Sequence, residues 1–289
     1  MIPVGFTLQP DDEFLERAAP LCERADYLEV APETLWYADS RGMLQPNGFW
    51  HRFAQLADRG RRFVAHGVGL SMATNAASDR PRQRRWLERM AEDHARFRFA
   101  WWTDHLGATT LDGLALSLPV AVPMSPRAAA IVRGRLAAMR SIVGDVGVEN
   151  TVTYFTLGDP LDEPRFLKAC LRAPGTHLLL DVHNLYTMAH NFGFAPERYL
   201  DALPLDRVIE LHLSGGTMSP PEWLPSGNSL RLDGHDDAVP EPVWRLAEQI
   251  VPRCPQLRGI TLERMEGTVA PADVALLSDE LERARRLAA

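Results

Sequence analysis

Histidine, aspartate and glutamate side chains recur at the ends of short apolar runs along this 289-residue sequence. In LLLDVHN, residues 178–184, three leucines lead directly into Asp181, His183 and Asn184. A protein core excludes carboxylate and imidazole groups unless they are paired or bind an ion. Similar residues follow other apolar runs, at His66, Asp104, His105, Glu149, Asn150, Glu210, His212 and Glu263. Imidazole and carboxylate ligands without thiolates are typical of iron, manganese or zinc sites.

Eight strand-like runs alternate with longer amphipathic segments that have helical spacing. The runs cover residues 3–8, 26–31, 62–68, 101–107, 146–150, 177–184, 207–215 and 259–265. Alternating strands and helices indicate parallel βαβ units, and eight units in roughly 250 residues are typical of a (β/α)8 barrel. We therefore predict a single α/β domain, a TIM barrel, over residues 1–289. A doubly wound open sheet is the alternative, but the sequence contains no GxGxxG turn to support it.

In such a barrel the polar strand ends would meet, because active sites lie at the carboxyl ends of the strands. Alternate residues of a strand share a face, so Asp181 should point the same way as His183, and Glu210 the same way as His212. Taken singly, each residue has an ordinary explanation as a helix cap or a hydrogen-bonded core side chain. Packed together, the carboxylates would repel one another, and metal ions supply the compensating charge. We therefore predict a centre of two or three ions, closed by the long irregular segment 214–240.

Composition and charge narrow the partners and surroundings of the protein. The net charge is −7, which argues against nucleic acid as a partner because nucleic-acid binders usually carry a basic face. The three cysteines are widely separated and fit neither a disulfide framework nor a CxxC metal site. No apolar run approaches the roughly 20 residues of a membrane span, and the N-terminus lacks the features of a signal peptide. We therefore expect a cytoplasmic protein without a membrane partner.

A series of short motifs makes the sequence resemble a known family. The motifs are HGV (66–68), DHL (104–106), VEN (148–150), LLLDVHN (178–184), ELHLSG (210–215), DGH (233–235) and LER (262–264). In this order and spacing they resemble the multinuclear non-haem iron-dependent oxidative enzymes, whose type examples act in methanobactin and thiaglutamate biosynthesis. No single motif is specific, but the ordered series covers nearly the whole chain. The resemblance implies a xylose-isomerase-like TIM barrel.

The resemblance also implies a cofactor, a substrate and partners. Members of the family hold two or three irons, as Fe(II) or Fe(III), and use O2 as co-substrate. They oxidise a ribosomally made precursor peptide, typically at cysteine, and usually work with a small partner protein that binds the peptide leader. The iron ligands implied here are His66, His105, Glu149, Asp181, His212, Asp233, His235 and Glu263, with Asn184 as a ligand or an orienting group.

Two positions depart from the family pattern. His183 stands where asparagine is commoner, and we expect either an extra ligand or a donor that orients a ligand. Met265 stands where relatives often have an aspartate that is a candidate proton acceptor, so the neighbouring Glu266 is the candidate here. We therefore assign candidate catalytic roles to His183 and Glu266.

Three further residues are candidates for substrate contact at the expected barrel mouth. Glu29 and Glu33 lie at the end of the second strand, and Tyr154 follows the fifth. The alternative for each is a structural role or support of a metal ligand.

Two other functional hypotheses use the same residues. The first is a non-redox isomerase or phosphodiesterase with the same barrel and a zinc or manganese site. The second is a metal-dependent scaffold or peptide-binding protein without catalysis. Measuring the bound metal separates the oxidative enzyme, which would contain iron, from the non-redox enzyme, which would contain zinc or manganese. The presence of every expected ligand argues against a scaffold without catalysis.

Overall fold

The structure is a computed structural model, and it describes residues 1–111 and 114–289. Eight parallel strands form a closed barrel, and each strand pairs with its neighbours in chain order. The last strand pairs with the first and closes the barrel. The (β/α)8 TIM barrel predicted from the sequence is therefore confirmed. Its strands are β1 (Val4–Thr7), β2 (Tyr27–Val30), β3 (Phe63–Gly67), β4 (Trp102–His105), β5 (Val146–Glu149), β6 (Thr176–Asp181), β7 (Val208–Leu213) and β8 (Gly259–Leu262).

Helices cover the outside of the barrel between successive strands. Ser125 accepts a hydrogen bond from the backbone N–H of Ala128 and caps the helix that begins at Pro126. The helices are α1 (Asp12–Arg24), α2 (Gly48–Asp58), α3 (Arg80–Phe97), α4 (Pro126–Arg140), α5 (Glu163–Cys170), α6 (Val182–Phe192), α7 (Pro196–Ala202), α8 (Glu241–Ile250) and α9 (Asp273–Leu287). Among the residues that the structure describes, a helix with the length and hydropathy of a membrane span is not found.

Alternation along β6 shows how the strands divide apolar from polar residues. Leu178 and Leu180 belong to the main apolar core with residues of the surrounding helices. Asp181, at the carboxyl end, is fully buried and lies 4.0 Å from the ring of His212 on β7. Strand periodicity therefore places leucines in the core and the acid at the end of the barrel interior.

The sixth strand ends earlier than its sequence predicted. The prediction extended it to Asn184, but the strand stops at Asp181 and α6 begins at Val182. The Asp181 carboxylate accepts a hydrogen bond of 2.6 Å from the backbone N–H of Asn184 and so caps the helix. The prediction that Asp181 and His183 share a strand face was therefore wrong, because His183 lies in the first helical turn.

Extra segments surround the carboxyl end of the barrel. One antiparallel hairpin pairs Trp36–Ala38 with Leu44–Pro46, and a second pairs Ala108–Leu111 with Leu114–Val120. The segment from 214 to 240 has a 3-10 turn at Pro221–Trp223 and an isolated antiparallel bridge between Met218 and Arg231, and the rest of it is irregular. These segments form the rim above the strand ends.

At the end of the barrel interior opposite the carboxyl ends of the strands, side chains pack closely around Tyr27. Its hydroxyl lies 2.8 Å from Thr261 Oγ1 and donates to Glu210. A Cβ at Gly259 would overlap with that hydroxyl and would lie 3.1 Å from the ring of Trp101. Glycine at position 259 therefore leaves the space that the aromatic rings occupy.

Gly259→Ala is expected to lower the free energy of unfolding by about 1–3 kcal/mol, because it overpacks this interior layer. Denaturant unfolding followed by circular dichroism measures the change. Gly134→Ala is the matched control, since Gly134 is an exposed residue inside α4 with open space around a new Cβ. The control should gain about 0.5–1 kcal/mol. Equal effects of the two substitutions would contradict the packing argument.

Candidate metal centre

Six strands bring imidazole and carboxylate groups to one end of the barrel interior. A cavity of about 470 Å³ opens above these groups and reaches His66, His105 and Glu263. Most of the contributing side chains are almost completely buried. The groups are His66 on β3, His105 on β4, Glu149 on β5, Asp181 on β6, His212 on β7 and Glu263 directly after β8.

One carboxylate oxygen faces two imidazole rings. Oε2 of Glu149 lies 3.3 Å from Nε2 of His66 and 3.1 Å from Nε2 of His105. The other nitrogen of His105 lies 3.0 Å from the carbonyl oxygen of Gly67, which can only accept, so Nδ1 carries the proton. Nδ1 of His66 lies 2.9 Å from the hydroxyl of Thr103. In their neutral forms both rings can therefore direct an Nε2 lone pair at the carboxylate, an arrangement that a cation stabilises.

A second group of ligand atoms surrounds His212. Its Nε2 lies 3.0 Å from Oε2 of Glu29, and its Nδ1 lies 3.0 Å from Oε2 of Glu263 and 4.0 Å from Oδ2 of Asp181. A carboxylate that accepts from one imidazole nitrogen fixes the ring so that the other nitrogen can bind a metal. One ligand atom each from Asp181, His212 and Glu263 lies within 4.8 Å of the others.

Glu210 is a buried carboxylate with a different environment. Its Oε1 accepts hydrogen bonds from Tyr27 and Thr261, and its Oε2 accepts one of 2.6 Å from Trp101. Burial raises the pKa of Glu210 to about 7. Because neutral donors already satisfy both oxygens, this residue forms a structural layer below the candidate centre.

The segment after β7 adds two more groups. Nε2 of His235 lies 2.7 Å from Oδ1 of Asp233, and its Nδ1 lies 3.4 Å from Oε1 of Glu263. The backbone of His235 has φ of 48°, in the left-handed region that residues other than glycine rarely adopt. Backbone strain of this kind persists where surrounding contacts enforce it and often marks functional positions. Here the His235 carbonyl accepts a hydrogen bond of 3.1 Å from the hydroxyl of Thr268.

Unsatisfied polar atoms test whether metal ions fit this site. Buried polar atoms are normally hydrogen-bonded, and those that are not need a specific reason. Among the described residues, atoms without a partner in hydrogen-bonding geometry converge on the centre: Nε2 of His66, Nδ1 of His212 and His235, Oε2 of Glu149 and Glu263, Oδ2 of Asp181 and Oδ1 of Asn184. These are oxygen and nitrogen ligands of the kind that iron, manganese and zinc accept, so the residues fit metal ions.

The charges of the site depend on one another. Burial works against a charged His66, but Glu149 and Glu29 raise the pKa of His66 to about 9. Burial also works against ionisation of Glu263, but His235 and His212 hold the pKa of Glu263 below its usual range. Without a metal, protons on the imidazoles therefore balance the carboxylates.

A family model described as the RiPP precursor modification enzyme MbnB/TglH/ChrH matches residues 3–289. The chain belongs to this family. It is 31% identical to a UPF0276 protein of Rhizorhabdus wittichii over 278 residues, which cover 96% of this chain and 90% of that protein. It is 30% identical to a UPF0276 protein of Caulobacter vibrioides over 285 residues, which cover 97% and 93%. The family resemblance inferred from the motifs is therefore confirmed at the level of a RiPP precursor modification enzyme.

Solved structures with low sequence identity share the fold. A D-tagatose 3-epimerase-like protein is 13% identical with a TM-score of 0.62, and the match covers 98% of each chain. Endonuclease IV from Thermus thermophilus is 17% identical with a TM-score of 0.54, covering 98% of this chain and 99% of that one. A xylose isomerase-like TIM barrel protein from Mycobacterium smegmatis is 15% identical with a TM-score of 0.61, covering 100% and 98%. These similarities confirm the xylose-isomerase-like barrel.

The remaining candidate residues of this RiPP modification enzyme lie in different surroundings. Asn184 donates hydrogen bonds to Oε1 of Glu149 (3.1 Å) and to the carbonyl of Asn150 (3.0 Å). Tyr154 lines the cavity, and its hydroxyl accepts from the backbone N–H of Asp233. Glu266 is exposed at the cavity rim. Asn184 thus lies at the centre, while Tyr154 and Glu266 lie at the cavity above it.

The two glutamates expected to contact substrate are already engaged by the protein. Glu29 reaches the cavity wall, but it is 2% exposed and binds His212. Oε1 of Glu33 accepts hydrogen bonds from the backbone N–H groups of Val68 and Gly69, at 2.6 and 2.7 Å. The described cavity wall does not include Glu33. Of the two interpretations given for Glu33, these contacts favour the structural one, in which Glu33 supports the loop after β3.

Three residues that support the centre were not among its predicted ligands. Thr103 lies two residues before His105 on β4 and so shares its strand face. Strand periodicity could therefore have placed Thr103 beside the ligands. Asn150 accepts from the backbone N–H of Asp181 and donates to its carbonyl, both at 2.9 Å, and so joins the ends of β5 and β6. Arg231 contacts His183, and no motif indicated this contact.

The pKa of His66 leads to a prediction about metal binding and pH. Its raised pKa stabilises the metal-free protein fully below about 6.5, and this stabilisation is lost as pH rises through about 9. A metal must displace the proton, so the thermal shift caused by Mn(II) should be larger at pH 8 than at pH 6. Differential scanning fluorimetry with and without Mn(II) measures the shift. His51→Gln, an exposed histidine outside the centre, should not change this dependence. Equal shifts at both pH values would count against metal binding at His66.

Proposed function

We propose that this enzyme is an O2-dependent multinuclear non-haem iron oxidase that modifies a ribosomally made precursor peptide at cysteine. The observation that carries the proposal is the convergence of unpartnered buried imidazole and carboxylate atoms below one cavity. Membership of the RiPP precursor modification family supports the class of substrate. Iron and O2 come from the resemblance of the ordered motifs.

The ligand atoms divide into three neighbouring groups that would hold two or three irons. Bound iron would supply the redox change and the Lewis acidity that oxidation of the peptide needs. The grouping follows the observed contacts between side chains. The groups are His66, His105 and Glu149; Asp181, His212 and Glu263; and Asp233, His235 and Glu263, with Asn184 beside Glu149.

The protein's own contribution is to fix the ligands before substrate arrives. The Gly67 carbonyl orients His105, and the Thr103 hydroxyl orients His66. Glu29 orients His212 through its Nε2, so we assign it a supporting role instead of substrate contact. Ligands held in this way need little rearrangement during the reaction.

The cavity walls favour a peptide side chain over a sugar or a nucleic acid. Apolar side chains dominate the upper wall, including Val68, Val120, Phe155 and Met265. Phe155 is 54% exposed and stands at the entrance beside Tyr154. An apolar wall would exclude water from a thiol that reaches the ligands below. Glu266 at the rim is our candidate for accepting a proton, and a small leader-binding protein is the proposed partner.

The reaction itself can be tested with precursor peptides from short cysteine-bearing open reading frames, which should first be sought beside this gene. Protein reconstituted anaerobically with Fe(II), then given peptide and O2, is expected to change the peptide mass, as measured by mass spectrometry. Replacing the cysteine by serine in the peptide should abolish the change. Activity with zinc alone and without O2 would overturn the proposal and favour a non-redox isomerase or phosphodiesterase.

Glu149→Gln is expected to lower peptide oxidation at least about 100-fold, because the carboxylate faces two imidazoles and bears the local negative charge. Against the effect of burial, Glu149 raises the pKa of His66 to about 9. Above this pH, where His66 carries no charge, the amide can donate to the Nε2 lone pair and the metal-free variant should keep its melting temperature. Metal analysis and thermal unfolding test both statements. Glu163→Gln is the matched control, because Glu163 is buried but accepts a hydrogen bond from Tyr199. Full iron content in Glu149→Gln would contradict the ligand assignment.

A further inference from the structure

His183 lies between the candidate metal centre and the segment 214–240, which covers that centre. The residue is completely buried in the first turn of α6. Its Nε2 accepts a hydrogen bond of 3.3 Å from Nε of Arg231 and lies 3.4 Å from the hydroxyl of Thr187. Its Nδ1 faces Oδ1 of Asp233 at 3.6 Å and has no other partner among the described residues. The ring therefore connects an arginine to a candidate metal ligand.

Hydrogen-bond chemistry decides which nitrogen carries the proton. A guanidinium group has only donors, so Nε2 of His183 must present its lone pair to Arg231. A neutral imidazole has one N–H, which is then on Nδ1 and points toward Asp233. A metal ligand needs a free lone pair, and the single lone pair of this ring is directed at a cation. His183 is therefore excluded as a ligand as long as Arg231 keeps this position.

Arg231 is held by the same helix that carries His183. Its guanidinium lies 4.9 Å from the ring centre of Tyr186, a cation–π contact. Its backbone N–H donates to Oδ1 of Asn191 (2.8 Å), and the amide of Asn191 donates back to its carbonyl (3.0 Å). These contacts attach the segment to α6 only two residues before Asp233.

The first part of the segment 214–240 also packs closely against His183, at Gly216. A Cβ at Gly216 would lie 3.0 Å from Cε1 of His183 and would overlap with the carbonyl oxygen of Leu232. Glycine at position 216 thus allows both parts of the segment, around Gly216 and around Arg231, to pack against the imidazole ring of His183. The position of Asp233 is therefore set from the α6 side, and His235 binds the same carboxylate oxygen from the other side.

From these contacts we infer that Arg231 and His183 are positioning residues that hold Asp233 in place to bind metal. This inference rests on the proposed function, because it assumes that Asp233 and His235 hold an ion. Arg231 fixes His183 as a donor, and His183 directs Asp233 toward the centre. The contacts that attach the segment 214–240 to α6 therefore also place Asp233 in the metal site.

Metal binding without peptide or O2 tests the inference. Metal-free full-length protein is titrated with Co(II), whose visible absorption reports the ligands of each bound ion. Arg231→Met should weaken the binding of the most loosely held Co(II) ion at least tenfold and should change the absorption of that ion. The affinity for the other ions and the melting temperature of the metal-free protein should stay unchanged. Arg231→Lys, which keeps a cationic donor, should recover part of the affinity. Arg253→Met, an exposed arginine paired with Asp201, is the control.

The His183 variants separate a donor from a ligand. The amide nitrogen of His183→Asn can occupy the position of Nδ1 and donate to Asp233, so this variant should bind Co(II) within about threefold of the wild type. His183→Leu should resemble Arg231→Met. Tighter binding or an additional ion in Arg231→Met would overturn the inference, because it would mean that His183 ligates once its lone pair is released.

The same titration distinguishes the two proposals. If the wild type binds Co(II) and Arg231→Met matches Arg253→Met, the positioning inference fails and the proposed metal centre stands. If Arg231→Met weakens every ion equally, its effect is general and the inference also fails. If the wild type binds no ion, both proposals fall together.

Discussion

The structure depends on a group of buried hydrogen-bond acceptors that requires positive charge. Glu149, Asp181 and Glu263 are at most 7% exposed and lie at one end of the barrel interior. Desolvation and mutual repulsion disfavour such a cluster unless cations or protons balance it. Within the described part of the chain, lysine and arginine side chains do not pair with these three carboxylates. Instead the protein fixes imidazole rings around them, which leaves the positions between the groups suitable for ions.

Two polar layers inside the barrel differ in how they are satisfied. In the lower layer, Glu210 receives hydrogen bonds from Tyr27, Thr261 and Trp101 and needs no ion. In the upper layer, facing atoms of His66 and Glu149 lack partners in hydrogen-bonding geometry. The satisfied layer stabilises the barrel and closes it below the centre. The unpartnered ligand atoms are thereby confined to the end where the loops and the cavity lie.

Strand periodicity allowed much of the centre to be predicted from the sequence, because barrel topology brings the carboxyl ends of strands together. It failed at His183, where the Asp181 cap begins a helix one residue after the strand. For Glu33, which the sequence left open between substrate contact and a structural role, the hydrogen bonds accepted from backbone N–H groups favour the structural role. Contacts such as Arg231 to His183 join residues 48 positions apart, and no local pattern encodes them.

Ligands on strands and ligands on the loop are held with different precision. His66, Glu149 and His212 belong to paired strands of a closed barrel, so their backbones have little freedom. Asp233 and His235 depend on side-chain contacts, and His235 adopts a strained backbone conformation. Loops open at lower free-energy cost than barrel strands. The loop-borne part of the centre is therefore the part that can rearrange at lower free-energy cost, while the strand-borne part stays assembled.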